Sequence, residues 1–128
     1  MSFDRKYLVW ALGYVTFGMC LGIYMAASHK HAQHVTHAHI NLVGFVLSLG
    51  YGLIHKLWLG HHSPVIARIQ FIVHHAAAIT LFTGLLLLYG NVFPEAQLDP
   101  ILAIASVSVL LGALLMIYMV LKPSAVKA

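Results

Sequence analysis

The stretch His37-Ala38-His39-Ile40-Asn41-Leu42-Val43-Gly44-Phe45-Val46-Leu47-Ser48-Leu49-Gly50-Tyr51-Gly52-Leu53-Ile54-His55-Lys56-Leu57-Trp58 opens on a His-x-His pair and continues as an apolar run long enough to cross a bilayer. An ionisable side chain in or at the edge of a membrane segment costs a few kcal/mol, so it is expected to face the bundle interior and to have a partner, which for clustered His is often a metal. The chain holds ten His against three acids.

Working outward, three further apolar runs appear, so that residues 7–27, 37–58, 65–89 and 98–121 each approach or exceed the roughly 20 residues a spanning helix needs. With 61% hydrophobic and 8% charged residues, the composition is that of an integral membrane protein. The expected fold is all-α, a four-transmembrane-helix up-down bundle in which residues 1–128 form one transmembrane domain. The first run follows Asp4, Arg5 and Lys6 and has no small-residue cleavage site after it, which reads as a retained helix rather than a signal peptide.

Basic residues set the expected orientation. Arg5 and Lys6 precede the first run, Lys56 and Arg68 flank the second connection, and Lys122 and Lys127 follow the last run. Only Lys30 lies on the opposite side, and the third connection carries Glu95 and Asp99. Both termini are therefore expected to be cytoplasmic, with His37 and His39 near the outer face, in what reads as a bacterial inner membrane. Tyr7 and Trp10, Trp58, Tyr89 and Phe93, and Tyr118 stand at depths suited to aromatic belts. The net charge of +4 then reports topology and lipid contact, not nucleic-acid binding.

Ser63-Pro64 and Asp99-Pro100 each offer a capping oxygen followed by Pro at a first helical position, and so predict where helices 3 and 4 start. Gly18 and Gly22 form a G-x-x-x-G pair, and Gly44, Ser48 and Gly52 repeat at spacing four, which allows close helix approach. On a regular helix that second stripe also takes in His37, Asn41 and His55. His55 lies about 24 Å below His39, and His37 and His39 diverge by roughly 200°, so the two would serve different sites.

His74-His75 falls roughly 10 Å beyond Arg68, inside the membrane. Adjacent His diverge by about 100°, which directs both to one metal only on a distorted helix, or one to a metal and one to a hydrogen-bond partner. Ala76, Ala77 and Ala78 leave space for a flat or bulky group, and Thr80 and Thr83 either donate to that site or bond back to their own helix. His29, His31 and His34 either collect copper or zinc at the entrance or are simply solvated. His61 and His62 have no expected chemistry. Apart from Asp4, Glu95 and Asp99, which stand before or at the very start of a run, there are no carboxylates, which leaves a proton pump or a carboxylate hydrolase without machinery. No C-x-x-C-H is present, so a haem would be held non-covalently, as haem b. Cys20, with Met19 and Met25, either suits Cu(I) or packs as an apolar group.

Through His37-Ala38-His39-Ile40-Asn41-Leu42-Val43-Gly44-Phe45 the chain resembles the haem-copper oxidase superfamily, in particular the catalytic subunits of C-type oxidases and nitric oxide reductases. In that family one helix opens with a His-x-His followed by a Gly-aromatic step, and its two His bind the haems on either side of it. An adjacent His pair in the family binds copper, to which His74-His75 is similar. The resemblance implies haem b on His37 and His39, copper on His74 and His75, and a single four-helix unit resembling one of three four-helix arcs. One chain has no separate second-helix His for each cofactor. Three copies in a closed ring would restore the twelve-helix arrangement, so a homotrimer is expected. The function it implies is electron transfer or O2/NO chemistry, fed by an electron-donor protein. The alternatives from the residues alone are a copper or zinc transport or storage module and a structural subunit of a membrane complex.

Overall fold

The computed structural model describes residues 1–60 and 64–122. His61, His62, Ser63 and Lys127, which figure in the expectations above, lie outside the described residues. Four long helices account for nearly everything described: α1 Phe3–Ser28, α2 His34–Leu59, α3 Pro64–Tyr89 and α4 Glu95–Leu121. At 1.5 Å per residue each is about 39 Å long, enough to cross the roughly 30 Å hydrocarbon layer with ends in the headgroup zone. All four are apolar enough to span a membrane, as the sequence predicts.

The helices run up and down, with α1 packed chiefly on α2 and α3 on α4. One layer of the core joins Tyr7 near the start of α1, Tyr51 and Leu59 of α2, Ala67 near the start of α3, and Met116 and Met119 near the end of α4. The start of α1 and the end of α4 therefore lie at the same end of the bundle. The second layer, toward the other end, joins Tyr14, Ile40, Ala78, Leu81, Phe82, Leu85 and Ala105. Most large apolar side chains outside these layers are exposed, as Ile104, Val107, Leu114 and Ile117 are on α4, where lipid tails would meet them.

α2 is not a regular helix. Ile40–Val46 and His55–Leu59 are π-helical, with i→i+5 bonds in place of i→i+4. The wider turn rotates everything after it relative to an α-helical wheel. The stripe expected on one face consequently meets two neighbours. Asn41 and Gly52 lie against α1, Gly44 touches both Tyr14 of α1 and Phe82 of α3, and Ser48 reaches His74 of α3.

The start of α4 is corrected by the structure. The helix begins at Glu95, four residues before Asp99, and Pro100 lies inside it. Pro94 takes the N-cap position with an extended ψ of 144°. Gln97 N–H then bonds the Pro94 carbonyl at 3.0 Å, and Glu95 complements the dipole of the first turn. Pro94 starts the helix before the Asp99-Pro100 signal is reached. The described part of α3 begins at Pro64, and the expected cap Ser63 lies outside the described residues. Tyr7 is a second correction: it is fully buried in the core rather than placed in an aromatic belt. α1 buries Tyr7, Ala11, Tyr14, Gly18 and Met25, a three-to-four-residue period that turns the Tyr7 ring inward.

Candidate metal centre

The His-x-His pair sits at the end of the bundle opposite the start of α1, in the α-helical opening of α2 just before its first π segment. His37 is half-buried and faces α1. Its Nδ1–H donates to the Gly18 carbonyl at 2.9 Å. The two glycines expected to bring helices together instead make room for side chains. A Cβ on Gly18 would lie 2.5 Å from Asn41 Oδ1, and one on Gly22 would lie 3.0 Å from His37 Cε1. Asn41 is anchored by donating from Nδ2 to the His37 carbonyl at 2.9 Å, which places its amide 3.4 Å from both ring nitrogens.

His39, also half-buried, donates Nδ1–H to the Val35 carbonyl at 2.8 Å. Both imidazoles of the pair thus spend Nδ1–H on a backbone carbonyl. That bond fixes the tautomer and leaves Nε2 as the lone-pair nitrogen, the arrangement usual for a metal-ligating His. His37 and His39 are two residues apart on α-helical backbone, which points their side chains roughly 200° apart.

A bracket that sequence reasoning missed holds this end in place. Thr36, fully buried, donates to Gln33 Oε1 at 2.7 Å, and Gln33 Nε2 donates to the Leu86 carbonyl of α3 at 3.1 Å. The signal was available: Gln33 and Thr36 are spaced i, i+3 at the mouth of an apolar helix. His29, His31 and His34 are all exposed. His29 closes α1 in a left-handed conformation (φ 57°), and His34 Nδ1–H donates to the His31 carbonyl at 2.9 Å. Among the described residues no group of three or more His, Cys, Asp or Glu gathers to hold a metal ion.

His74 and His75 lie in the middle of the bundle, 0% and 4% exposed. Both find partners on neighbouring helices. His74 Nε2 is hydrogen-bonded to Ser48 Oγ of α2 at 2.8 Å, and His75 Nδ1 to the Tyr14 hydroxyl of α1 at 2.8 Å. Trp10 stacks on His75 with centroids 4.5 Å apart, and Phe71 meets it edge-on at 4.4 Å. One turn below, Tyr7 donates its hydroxyl to Gln70 Oε1, and Gln70 Nε2 donates to the Gly112 carbonyl of α4 at 3.1 Å. Four helices are therefore tied by side-chain hydrogen bonds within two adjacent turns of α3. In lipid each such bond is worth about 0.6 kcal/mol on average, and up to about 1.7. Gln70 and His74 share a face at i, i+4, a pairing readable from the sequence had Gln70 been weighed.

The space expected beside these imidazoles lies elsewhere. Ala76 and Ala77 line a groove of about 320 Å³ with Ile104, Ala105 and Ser108, between α3 and α4 and away from the His pair. Thr80 bonds back to the Ala76 carbonyl at 2.8 Å, which settles its role, and Thr83 is exposed. Cys20 and Met19 are exposed while Met25 is buried, so the three do not share a face. Comparison with protein families, curated proteins and solved structures finds no match to this chain.

Proposed function

We propose that the protein binds haem b through His37 and His39 and acts in electron transfer or in binding O2 or NO, as a relative of the haem-copper oxidase catalytic subunit. The observation that carries this reading is the paired donation of His37 Nδ1–H to Gly18 and His39 Nδ1–H to Val35, which leaves the lone pair of each ring on Nε2, that of His37 with Asn41 Nδ2 3.4 Å away. Non-covalently held haem needs no more from the chain than such imidazoles and apolar surroundings, and both are present. Bound haem would supply one-electron chemistry and, where a coordination position stays open, a site for a diatomic gas. The divergence of the pair calls for two haem positions rather than one bis-His haem within a chain. A homotrimer, in which a second copy completes each position, accommodates that. The proposed setting is a bacterial inner membrane with both termini cytoplasmic, as the basic residues at that end favour, and with an electron-donor protein as partner.

The bonds of His74 to Ser48 and of His75 to Tyr14 favour a second reading for that pair alone, as packing residues of a membrane bundle. Copper remains the second candidate metal, to be judged by analysis rather than placed on these residues. The exposure of His29, His31 and His34 lends no weight to a transport module.

The test is an optical spectrum of the detergent-purified protein, oxidised and dithionite-reduced, with iron and copper measured on the same sample. The expected result is reduced haem b bands that weaken in both His37→Ala and His39→Ala. A colourless protein carrying copper or zinc would move it to metal handling, and one carrying neither would sink the proposal.

A further inference from the structure

The centre of the bundle contains more hydrogen-bonding capacity than the protein satisfies. Tyr51 Oη, His74 Nδ1 and His75 Nε2 are buried and make no hydrogen bond to protein. Their rings are consecutive neighbours: Tyr51 and His74 have centroids 5.0 Å apart, and His74 and His75 4.9 Å apart. Turning either imidazole over, or changing its tautomer, does not remove the deficit. Each ring has two nitrogens and one protein partner, so a flip only moves the orphan. A neutral imidazole presents one donor and one acceptor, and a phenol presents both. The three atoms together demand an occupant that both gives and accepts hydrogen bonds. A cation only accepts lone pairs, and no third His, Cys, Asp or Glu stands with the pair among the described residues.

Toward the end where α1 starts, a file of packed rings leads from Tyr51 to an open cavity. Tyr51 packs on Tyr7 at 5.6 Å, and Tyr7 stacks on His55 at 5.7 Å. His55 in turn lines an open cavity of about 250 Å³ with Ser2, Phe3 and Asp4, at the end where α1 starts. On the other side of the His pair the core layer is apolar apart from the Tyr14 hydroxyl, which His75 already engages.

We propose that Tyr51 Oη, His74 Nδ1 and His75 Nε2 together bind ordered water in the middle of the bundle. Water supplies both donor and acceptor and meets the three polar partners such a site requires. It joins Tyr51, His74–Ser48 and His75–Tyr14 into one hydrogen-bonded network across α1, α2 and α3. This site does not depend on a haem.

The experiment is water-edited solid-state NMR on the full chain, labelled with ¹⁵N-histidine, in lipid bilayers. Ser48→Ala assigns the His74 signals and Tyr14→Phe those of His75, and exposed His29 is the internal reference. The expected result is transfer of water magnetisation to both His74 and His75, with Tyr51→Phe roughly halving it there and leaving His29 unchanged. Tyr51→Phe should also lower the melting temperature, because a hydroxyl that bonds water is lost. Magnetisation reaching His29 but neither His74 nor His75 would mean a dry core and overturn the proposal. So would a Tyr51→Phe variant that melts higher, the outcome expected when an unpartnered hydroxyl is removed, or water contact that appears only after a chelator strips a metal from the pair.

Discussion

His75 illustrates how a polar residue is tolerated at mid-membrane: Tyr14 takes one nitrogen, Trp10 and Phe71 enclose the ring, and lipid is kept away. Glycine makes that enclosure possible. Gly44 lies where α1 and α3 both close on α2, and a Cβ there would stand 2.8 Å from Tyr14 Cγ and 3.1 Å from Phe82 Cε2. Gly44→Val should therefore destabilise the bundle by about 1–3 kcal/mol, the usual cost of overpacking. Gly13, with nothing within 4 Å of its would-be Cβ, is the control: Gly13→Ala should melt at or above the parent. Thermal unfolding in detergent, followed by circular dichroism, compares the two. If Gly44→Val melted with Gly13→Ala, the packing of α2 between α1 and α3 would be wrong.

At the scale of the element, α2 changes its winding directly after His39. π segments inside α-helices cluster at functional sites, and this one lets Asn41 stay with His37 against α1 while Ser48 turns to His74. The beginning of α4 yields a direct test. If Asp99 capped the helix, Asp99→Ala would cost about 1 kcal/mol. Since Asp99 lies inside a helix that starts at Glu95 and is exposed, the substitution should stay within about 0.5 kcal/mol of the parent in the same unfolding assay. A loss of a full kcal/mol would put the start of the helix back at Asp99-Pro100.

For the molecule as a whole, α4 is both the most apolar and the least buried of the four helices. A lone bundle leaves that surface to lipid, and a homotrimer would leave part of it to other copies. Native mass spectrometry from nanodiscs should find three copies of the 14.0 kDa chain together with haem, and a His39→Ala chain should lose haem and association in parallel. Monomers that retain haem would break that link. The sequence by itself determined the class, the number of helices and their approximate limits, because hydrophobic length is a local property set by the thickness of the bilayer. It also determined that His37 and His39 diverge, since a two-residue spacing on α-helix has no other outcome. What it could not decide was which polar groups meet. The pairing of Ser48 with His74, of Tyr14 with His75 and of Tyr7 with Gln70 joins residues 26, 61 and 63 positions apart. The π turns of α2 and the true start of α4 depend likewise on what each helix packs against, and only the assembled bundle brings those surfaces together.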